Sequence, residues 1–373
     1  MIDFASLATE GVRGLTPYEP GKPVEELERE LGITDSVKLA SNENPLGPSP
    51  RALEAARAAE PGIGFYPDGH GYALREALAR HLDVDPAWIV LGNGSNDVLD
   101  LVARAFLGPG RSAAFSQYAF AVYPIATQAV GARARVAPAL PPDHPEQPYG
   151  HDLEALRAAV AADTRVVFIA NPNNPTGTWV GREALRAFLE SLPPEVICVV
   201  DEAYAEYVEE PDYPHAMDWL DAFPTLIVTR TFSKIYGLAG LRVGYGVSRP
   251  EVADLLNRVR QPFNVNSLAQ AAAGAALEDE VHVLRSRKLN REGLEQLAEG
   301  LWALDLQWIP SIGNFLTVDV GREAAPVYEA LLRLGVIVRP LANYGLPNHL
   351  RVTVGTKAQN ARFLESMALV LGQ

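Results

Sequence analysis

One lysine stands in a setting where its amine could react with a ligand. Lys234 lies in TFSKIYGLAGLRVG (231–244), which follows an apolar run and also contains two hydroxyl residues and Arg242. A lysine after a buried strand can form an imine with a carbonyl compound if burial or a neighbouring cation lowers the pKa of its amine. The glycines around it let backbone approach a ligand closely. Most loop lysines are simply solvated, so the segment alone leaves both interpretations open.

Two further polar segments follow apolar runs that are typical of buried parallel strands. NPNNPTG (171–177) follows VVFIA, and DEAY (201–204) follows VICVV. Ligands of open α/β sheets bind beyond the carboxyl ends of parallel strands, so both segments are expected to face one crevice. Taken singly, the first could be a turn and Asp201 a helix N-cap. Their joint placement favours a binding site.

A glycine-rich turn, GNGSND (92–97), separates a short apolar run from a helix-forming one. Such a turn offers backbone N–H groups and a helix N-terminus, which together bind anions. It is neither a Walker loop, which needs GK[ST], nor the dinucleotide fingerprint, because Asp97 stands where the third glycine belongs. On its own the turn is weak support for a phosphate site.

The elements that must position these segments alternate between short strands and helices. Strands are predicted at 88–91, 113–116, 133–137, 165–170, 196–200 and 225–229, and again at 315–320, 336–339 and 350–354. VVFIA and VICVV are apolar without alternation, which indicates a mainly parallel sheet covered by helices. A long helix-forming stretch covers 267–304. The pattern predicts an α/β fold with a large sheet domain and a smaller α+β domain.

The predicted division of the chain has three parts. An N-terminal arm over 1–44, with one short helix near 23–31, completes the small domain or contacts a second subunit. A large domain covers 45–270, and a small C-terminal domain covers 271–373. A chain of 373 residues is long enough for two such domains.

The composition excludes several classes of protein. Hydrophobic residues make up 48% and charged residues 21%, as in globular domains, and the net charge of −14 argues against a nucleic-acid partner. Cys198 is the single cysteine, and the seven histidines lack metal-ligand spacing, so neither a disulfide nor a metal site is predicted. Without a signal-peptide pattern or an apolar stretch of about 18 residues, the chain is expected to be soluble and cytoplasmic, with no membrane partner.

The chain resembles the fold-type I aminotransferases that use pyridoxal 5′-phosphate (PLP), and specifically the histidinol-phosphate aminotransferase family. The motifs that carry the resemblance span nearly the whole chain and are, in order, LTPYEPGKP, LASNENPLGPSP, FYPDGHGYALREALA, GNGSND, NPNNPTG, DEAY, TFSKIYGLAGLRVGY and VRPLANYGLPNHLRVTVGT. The resemblance implies a homodimer that transaminates histidinol phosphate with 2-oxoglutarate, giving imidazole acetol phosphate and glutamate in histidine biosynthesis. Transamination of aromatic amino acids and decarboxylation of an amino-acid phosphate stay open as alternatives on the same scaffold.

The resemblance also assigns catalytic and cofactor-binding residues. Lys234 would hold PLP as an imine and move the Cα proton of the substrate, and Asp201 would keep the pyridine nitrogen protonated. Tyr204 and Asn174 would hydrogen-bond the phenolic oxygen of the cofactor, and Tyr118 would stack on its ring. The predicted phosphate-binding residues are Gly94, Ser95, Asn96, Thr231, Ser233, Arg242 and, donated across a dimer interface, Tyr66.

The substrate-binding residues implied by the resemblance centre on Arg351. Its guanidinium would bind the carboxylate of glutamate in one half-reaction and the phosphate of histidinol phosphate in the other. Arg339 and Tyr18 would add to the phosphate contact, and Asn44 and Tyr344 would line the site. The alternative for each arginine is a surface ion pair, which contributes little stability.

Overall fold

The computed structural model describes residues 2–372. Its strands are β1 (Val37–Lys38), β2 (Ile89–Gly92), β3 (Ser112–Ser116), β4 (Arg133–Ala137), β5 (Thr164–Ala170), β6 (Ile197–Asp201), β7 (Leu226–Thr231), β8 (Gly244–Ser248), β9 (Gln307–Ile309), β10 (Phe315–Asp319), β11 (Val336–Ile337), β12 (Arg339–Leu341) and β13 (Leu346–Thr353). Its α-helices are α1 (Glu10–Arg13), α2 (Val24–Leu31), α3 (Pro50–Ala59), α4 (Tyr72–Leu82), α5 (Ser95–Phe106), α6 (Val122–Ala129), α7 (Leu153–Ala159), α8 (Arg182–Ser191), α9 (Pro250–Val259), α10 (Ser267–Leu277), α11 (Glu280–Ala303), α12 (Ala324–Arg333) and α13 (Lys357–Leu371). Short 3₁₀ helices lie at Phe4–Leu7, Glu60–Gly62, Pro86–Trp88, Ala205–Tyr207, Ala216–Trp219, Ala239–Leu241 and Ala342–Tyr344.

The largest sheet has seven strands in the order β2-β8-β7-β6-β5-β3-β4. Strand β8 runs antiparallel to both of its neighbours, and the other pairings in this sheet are parallel. Along β5, Val167 and Ile169 face a core that includes residues of α3, α4, α8 and α10, whereas Val166 and Phe168 face a core that includes residues of α5, α6 and α9. Burial on both faces explains why this strand is apolar without alternation.

The register of the parallel strands brings polar residues to one edge of the sheet. Ala170, the last residue of β5, lies opposite Asp201, the last residue of β6. Asp201 in turn lies opposite Thr229 of β7. Lys234 follows the end of β7 by three residues, so it belongs to the same edge.

A second sheet has four antiparallel strands in the order β12-β13-β10-β9 and packs against α11, α12 and α13. Helix α13 begins with a capping box between Thr356 and Gln359, which satisfies two backbone donors at its N-terminus. The arm joins this part of the structure, because β1 pairs in parallel with β11 and the carbonyl of Leu39 accepts the backbone N–H of Thr353 at 2.8 Å. The arm therefore connects directly to the C-terminal strands.

The prediction of a mainly parallel sheet covered by helices, followed by a smaller α+β part, is confirmed. Strands β3 to β7 lie where the sequence predicts them, to within about three residues, as expected for element boundaries. The helix-forming stretch 267–304 is two helices, α10 and α11, and the arm contains α1 in addition to the predicted helix. Strands β1, β8 and β9 are not predicted by the sequence; β8 reads GYGVS, and its two glycines favour a loop over a strand.

The two larger sheets fall within the predicted domain ranges, but one helix crosses a predicted boundary. The seven-stranded sheet lies within 45–270 and the four-stranded sheet within 271–373, whereas α10 crosses position 270. The division into arm, large domain and small domain stays a prediction.

Candidate active site

A cavity of about 810 Å³ opens at the carboxyl ends of β5, β6 and β7. Its walls come from the arm, from the large sheet and from the β12–β13 pair, so distant parts of the sequence meet there. The predicted site residues that line it are Tyr18, Ser95, Asn96, Asn174, Asp201, Tyr204, Thr231, Ser233, Lys234, Arg242, Arg339 and Arg351.

Lys234 projects into this cavity from the turn that follows β7. Its Nζ donates a hydrogen bond to the carbonyl of Ser41 at 3.1 Å and lies 5.6 Å from the ring centre of Tyr204. Burial, reinforced by the charge of Arg351, lowers the pKa of the Lys234 amine to about 7. Near neutral pH a large fraction of the amine is therefore unprotonated and able to act as a nucleophile.

The turn that carries Lys234 depends on a glycine. Gly237 has a φ of 68°, and a Cβ on it would overlap the backbone of Gly47 and Pro48. A larger residue would meet both an unfavourable backbone conformation and a rigid neighbour. The glycine therefore lets the lysine turn pack against the chain segment that follows the arm.

Asp201 is held at the end of β6 by two hydroxyl groups. Tyr123 donates to one carboxylate oxygen at 2.9 Å, and Thr229 donates to the other at 3.0 Å. Burial raises the pKa of Asp201 to about 6, and both hydrogen bonds oppose that shift because they favour the ionised form. The carboxylate is thus kept available as an anion in a buried position.

The predicted phosphate-binding residues gather where α5 begins. Gly94 precedes α5 and provides no side-chain cap, so the first backbone N–H groups of the helix can receive an anion. Arg242, whose φ is 58°, donates from Nη1 to the Ser233 hydroxyl at 3.4 Å. Gly94 has a φ of 80°, a backbone conformation that favours glycine, and a Cβ on it would also meet the guanidinium of Arg242. The backbone N–H of Ser233 donates to the hydroxyl of Thr231 at 3.1 Å.

Two buried arginines face the other side of the cavity. Arg351 of β13 is 5% exposed and donates to the side-chain oxygen of Asn174 and to the carbonyl of Ala40. Arg339 of β12 is 6% exposed, donates to the carbonyl of Glu19 and lies 5.7 Å from the ring centre of Tyr18. Within residues 2–372 neither guanidinium has a carboxylate oxygen within 4 Å, and Nε of Arg351 is buried without a hydrogen-bond partner. These arginines are therefore not surface ion pairs.

The predicted aromatic residues Tyr118 and Tyr66 do not line the cavity. The Tyr118 ring packs edge-on against Tyr149 with ring centres 5.5 Å apart. The backbone carbonyl of Tyr118 accepts a hydrogen bond from the Asn173 side chain at 2.9 Å. Tyr66 is 83% exposed and stacks on Phe263. Tyr66 is therefore placed on the outside of its own chain.

Asn44 and Tyr344 are likewise outside the cavity lining. The Asn44 amide donates to the carbonyl of Ile235 at 2.7 Å and to the hydroxyl of Ser286 at 2.8 Å, so its side chain ties the lysine turn to α11. Tyr344 is close enough to Arg351 for that charge to oppose the rise that burial causes in the pKa of Tyr344. Neither side chain is therefore placed to line the cavity as predicted.

Sequence reasoning misses three side chains that contact site residues, namely Tyr123, Thr229 and Asn42. Tyr123 lies in the apolar helix α6, where its type and spacing indicate an ordinary core residue. Asn42 donates to the hydroxyl of Tyr204 at 2.9 Å. Its position in LASNENP, one of the motifs behind the family resemblance, is the signal that could have identified it.

Comparison with known proteins identifies the class of enzyme. Residues 34–367 match the family model described as aminotransferase class I and II. This match spans most of the chain and includes the lysine turn, the strand ends and both buried arginines. The chain therefore belongs to the class I and II aminotransferases.

Full-length relatives narrow the assignment. Histidinol-phosphate aminotransferase 2 of Pseudomonas fluorescens (strain Pf0-1) is 61% identical over 373 residues, which cover 100% of this chain and 99% of the relative. A protein of the same name from Methylococcus capsulatus is 60% identical over 371 residues, 99% of this chain and 100% of the relative. The chain belongs to the histidinol-phosphate aminotransferase family.

Solved structures of other aminotransferases have the same fold as this chain. The histidinol-phosphate aminotransferase of Sinorhizobium meliloti, solved in complex with PLP, is 29% identical with a TM-score of 0.88 over 98% of both chains. A single mutant of Thermus thermophilus aspartate aminotransferase is 25% identical with a TM-score of 0.85 over 97% of this chain and 99% of that one. The predicted family, the fold-type I architecture and the class of PLP-dependent aminotransferase are confirmed.

Residues 2–372 contain neither a membrane-spanning helix nor a three-residue metal cluster. None of the helices in that range is both long and apolar enough to cross a membrane. In the same part of the chain, no group of three or more His, Cys, Asp or Glu side chains is placed to hold a metal ion.

The hydrogen bond from Tyr123 predicts a measurable pKa change. Tyr123→Phe removes a donor that favours ionised Asp201, so the pKa of that carboxyl should rise above about 6 by roughly one to two units. Infrared titration of the buried carboxyl band in cofactor-free protein measures this pKa. Tyr213→Phe is a matched control, because the Tyr213 hydroxyl donates to the carbonyl of Asn171 and not to a carboxylate. An unchanged pKa in Tyr123→Phe would show that the Tyr123 bond has no influence on Asp201.

Proposed function

We propose that the chain catalyses PLP-dependent transamination of histidinol phosphate with 2-oxoglutarate, giving imidazole acetol phosphate and glutamate, in cytoplasmic histidine biosynthesis. The observation that carries this proposal is that buried Arg351 and Arg339, which lack carboxylate partners among residues 2–372, share one cavity with Lys234 and Asp201. Buried cations without carboxylate partners favour anionic ligands, and all four compounds of this reaction are anions. The names of the full-length relatives support the choice of histidinol phosphate.

Three features of the cavity fit PLP. Lys234 offers an amine of lowered pKa, and Asp201 offers a buried carboxylate that can hold a pyridine nitrogen protonated. The N-terminus of α5 and Arg242 provide donors for a phosphate group. When bound, PLP supplies an electron-accepting ring that makes the Cα–H bond of an amino substrate acidic.

The proton transfer at the substrate is assigned to Lys234. Its amine lies inside the cavity, and near neutral pH it is present in both protonation states because its pKa is about 7. A group with a pKa near the working pH can both take a proton and return it. The Nζ atom would accept the Cα proton in one direction and deliver a proton in the other.

The two arginines are assigned to the substrate anion. The Arg351 guanidinium lines the cavity and donates from Nη1 to Asn174 and from Nη2 to Ala40, and the second N–H of each nitrogen is left for a ligand acceptor. A carboxylate or a phosphate oxygen can supply that acceptor. Arg351 would thus bind glutamate by its carboxylate and histidinol phosphate by its phosphate, with Arg339 and Tyr18 beside it.

A homodimer is part of the proposal. Tyr66 is 83% exposed, and the apolar side chains of Ile63, Phe65 and Tyr72 around it are exposed as well. A cluster of exposed apolar side chains of this kind marks an interaction surface. Tyr66 does not line the cavity of its own chain, so its predicted contact with a cofactor phosphate requires a second copy.

Substrate preference tests the proposed reaction. With 2-oxoglutarate as acceptor, histidinol phosphate should exceed phenylalanine in kcat/KM by about tenfold or more, because a phosphate can engage both buried arginines. Coupled assays of glutamate formation measure both values. Lys234→Ala should be inactive with either donor. A preference for phenylalanine, or release of carbon dioxide, would contradict the proposal.

Arg351→Lys tests the dual role of the guanidinium. A lysine offers a point charge in place of two parallel hydrogen bonds, so kcat/KM should fall by about ten- to a hundredfold for both glutamate and histidinol phosphate. The affinity for PLP, followed by visible absorption, should not change. Loss of glutamate activity alone would mean that Arg339 and Tyr18 bind the phosphate without Arg351.

Mixed dimers test the contribution of Tyr66. In a heterodimer of Lys234→Ala and Tyr66→Phe chains, one site carries both changes and the other carries neither. The mixture should therefore be more active than the sum of the two parent preparations. A stable monomer with full activity in sedimentation experiments would contradict the shared site.

A further inference from the structure

Asn42 uses all of its polar groups in the interior of the protein. It is 1% exposed and has a φ of 56°, in the left-handed region. Its backbone N–H donates to the hydroxyl of Thr353 at 2.9 Å, and its carbonyl accepts from Asn314 at 3.0 Å. Its side-chain oxygen accepts from the Thr353 hydroxyl at 3.0 Å, and its side-chain nitrogen donates to the Tyr204 hydroxyl at 2.9 Å.

The Thr353 hydroxyl determines which way the Asn42 amide faces. That hydroxyl accepts the backbone N–H of Asn42 and gives its one proton to the side-chain oxygen. With the amide turned over, the NH₂ group would face the Thr353 hydroxyl, whose proton would lose its present acceptor, and an unmade buried hydrogen bond is costly. The NH₂ group of Asn42 must therefore face Tyr204.

This arrangement fixes the direction of the Tyr204 hydroxyl. Its oxygen accepts from Asn42, so its own proton is free to be donated elsewhere. Tyr204 lines the cavity, and its ring is held edge-on against Phe315 with ring centres 5.4 Å apart. The Tyr204 hydroxyl can therefore donate its proton into the cavity.

We propose that Asn42 is a positioning residue, which makes the Tyr204 hydroxyl a hydrogen-bond donor toward the phenolic oxygen of PLP. The inference rests on the proposed function, in which Tyr204 contacts that oxygen. Asn42 also lines the cavity, but in this role it acts through the Tyr204 hydroxyl. Without it, Tyr204 could turn its proton away from the cavity.

The surroundings of Tyr204 keep its proton in place. The charged and titratable groups around it are Lys234, Arg351, Asp201, Tyr18, Tyr123 and Tyr207. Burial raises the pKa of Tyr204 to about 12, although Arg351 and the Asn42 hydrogen bond oppose the shift. The hydroxyl is therefore protonated at neutral pH and can donate.

The same contacts link Tyr204 to the strand that carries Arg351. Residues two apart on a strand share a face, so Arg351 and Thr353 of β13 both point toward the arm. Arg351 contacts the carbonyl of Ala40, and Thr353 contacts Asn42. Thr353 thus offers a second way to disturb the Asn42 amide without changing a residue of the cavity lining.

The test is a pH titration of the visible absorption of the PLP-loaded enzyme. A donor to the phenolic oxygen favours its ionised form, so losing that donor raises the midpoint of the titration. Tyr204→Phe and Asn42→Ala should each raise the midpoint by about one unit. The double variant should match Tyr204→Phe alone, because Asn42 acts only through Tyr204. Asn42→Asp keeps the shape but cannot donate, and it should raise the midpoint as well.

Each result either supports or overturns the inference. If Tyr204→Phe raises the midpoint but Asn42→Ala leaves it unchanged, or if the two shifts add, the role of Asn42 is wrong and the proposed function stands. If Tyr204→Phe itself has no effect, the proposed contact of Tyr204 is wrong and the inference falls with it.

Two more variants separate positioning from folding. Asn360→Ala removes another buried asparagine with two side-chain hydrogen bonds, to Gly355 and Gln296, and should lower thermal stability without moving the midpoint. If the Asn42 variants do not fold, Thr353→Val is used instead, with Thr353→Ser as the conservative control. Thr353→Val should raise the midpoint and Thr353→Ser should not; an unchanged midpoint in Thr353→Val would overturn the inference.

Discussion

The parallel register of β5, β6 and β7 is the constraint on which the site depends. It places Asp201 at the end of the central strand of the three, opposite Ala170 on one side and Thr229 on the other. The Thr229 hydroxyl can then reach the carboxylate of Asp201, and β7 leads directly into the turn that carries Lys234. A shift of one residue in this register would turn Asp201 to the opposite face of the sheet. The acid and the amine are thus placed by backbone pairing before any ligand is present.

The segment from Leu39 to Asn42 explains how buried cations remain available to ligands. The carbonyl of Ala40 accepts from Arg351, and the carbonyl of Ser41 accepts from Lys234. A carbonyl satisfies hydrogen-bond donors without neutralising their charge, whereas a carboxylate would do both. Among the described residues, neither cation has a carboxylate oxygen within 4 Å, in a protein whose net charge is −14. The charge of Arg351 would favour an anionic ligand and also accounts for part of the lowered pKa of Lys234.

Much of the fold follows from local pattern. Strands β5 and β6 are apolar and β-branched because both of their faces are covered, and the sequence predicts them for that reason. The sequence does not predict β8, because Gly244 and Gly246 have no side chains that could form an apolar pattern. These glycines are required by close packing: a Cβ on Gly244 would overlap the backbone of Ser95, and one on Gly246 would meet Val98. Such a requirement comes from a neighbour in space and leaves no signal in the local sequence.

The sequence by itself predicted Lys234 and Asp201 as the reactive pair, because both stand in motifs that follow apolar runs and carry the family resemblance. The tertiary structure decided which distant side chains form hydrogen bonds with the residues of the site. Tyr123 lies 78 positions from Asp201 and Asn42 lies 162 positions from Tyr204, yet each pair is joined by a hydrogen bond of 2.9 Å. Asn44, expected in the lining, instead ties the lysine turn to α11. Residue type states what a side chain can donate or accept, but only packing of distant segments decides the partner it meets.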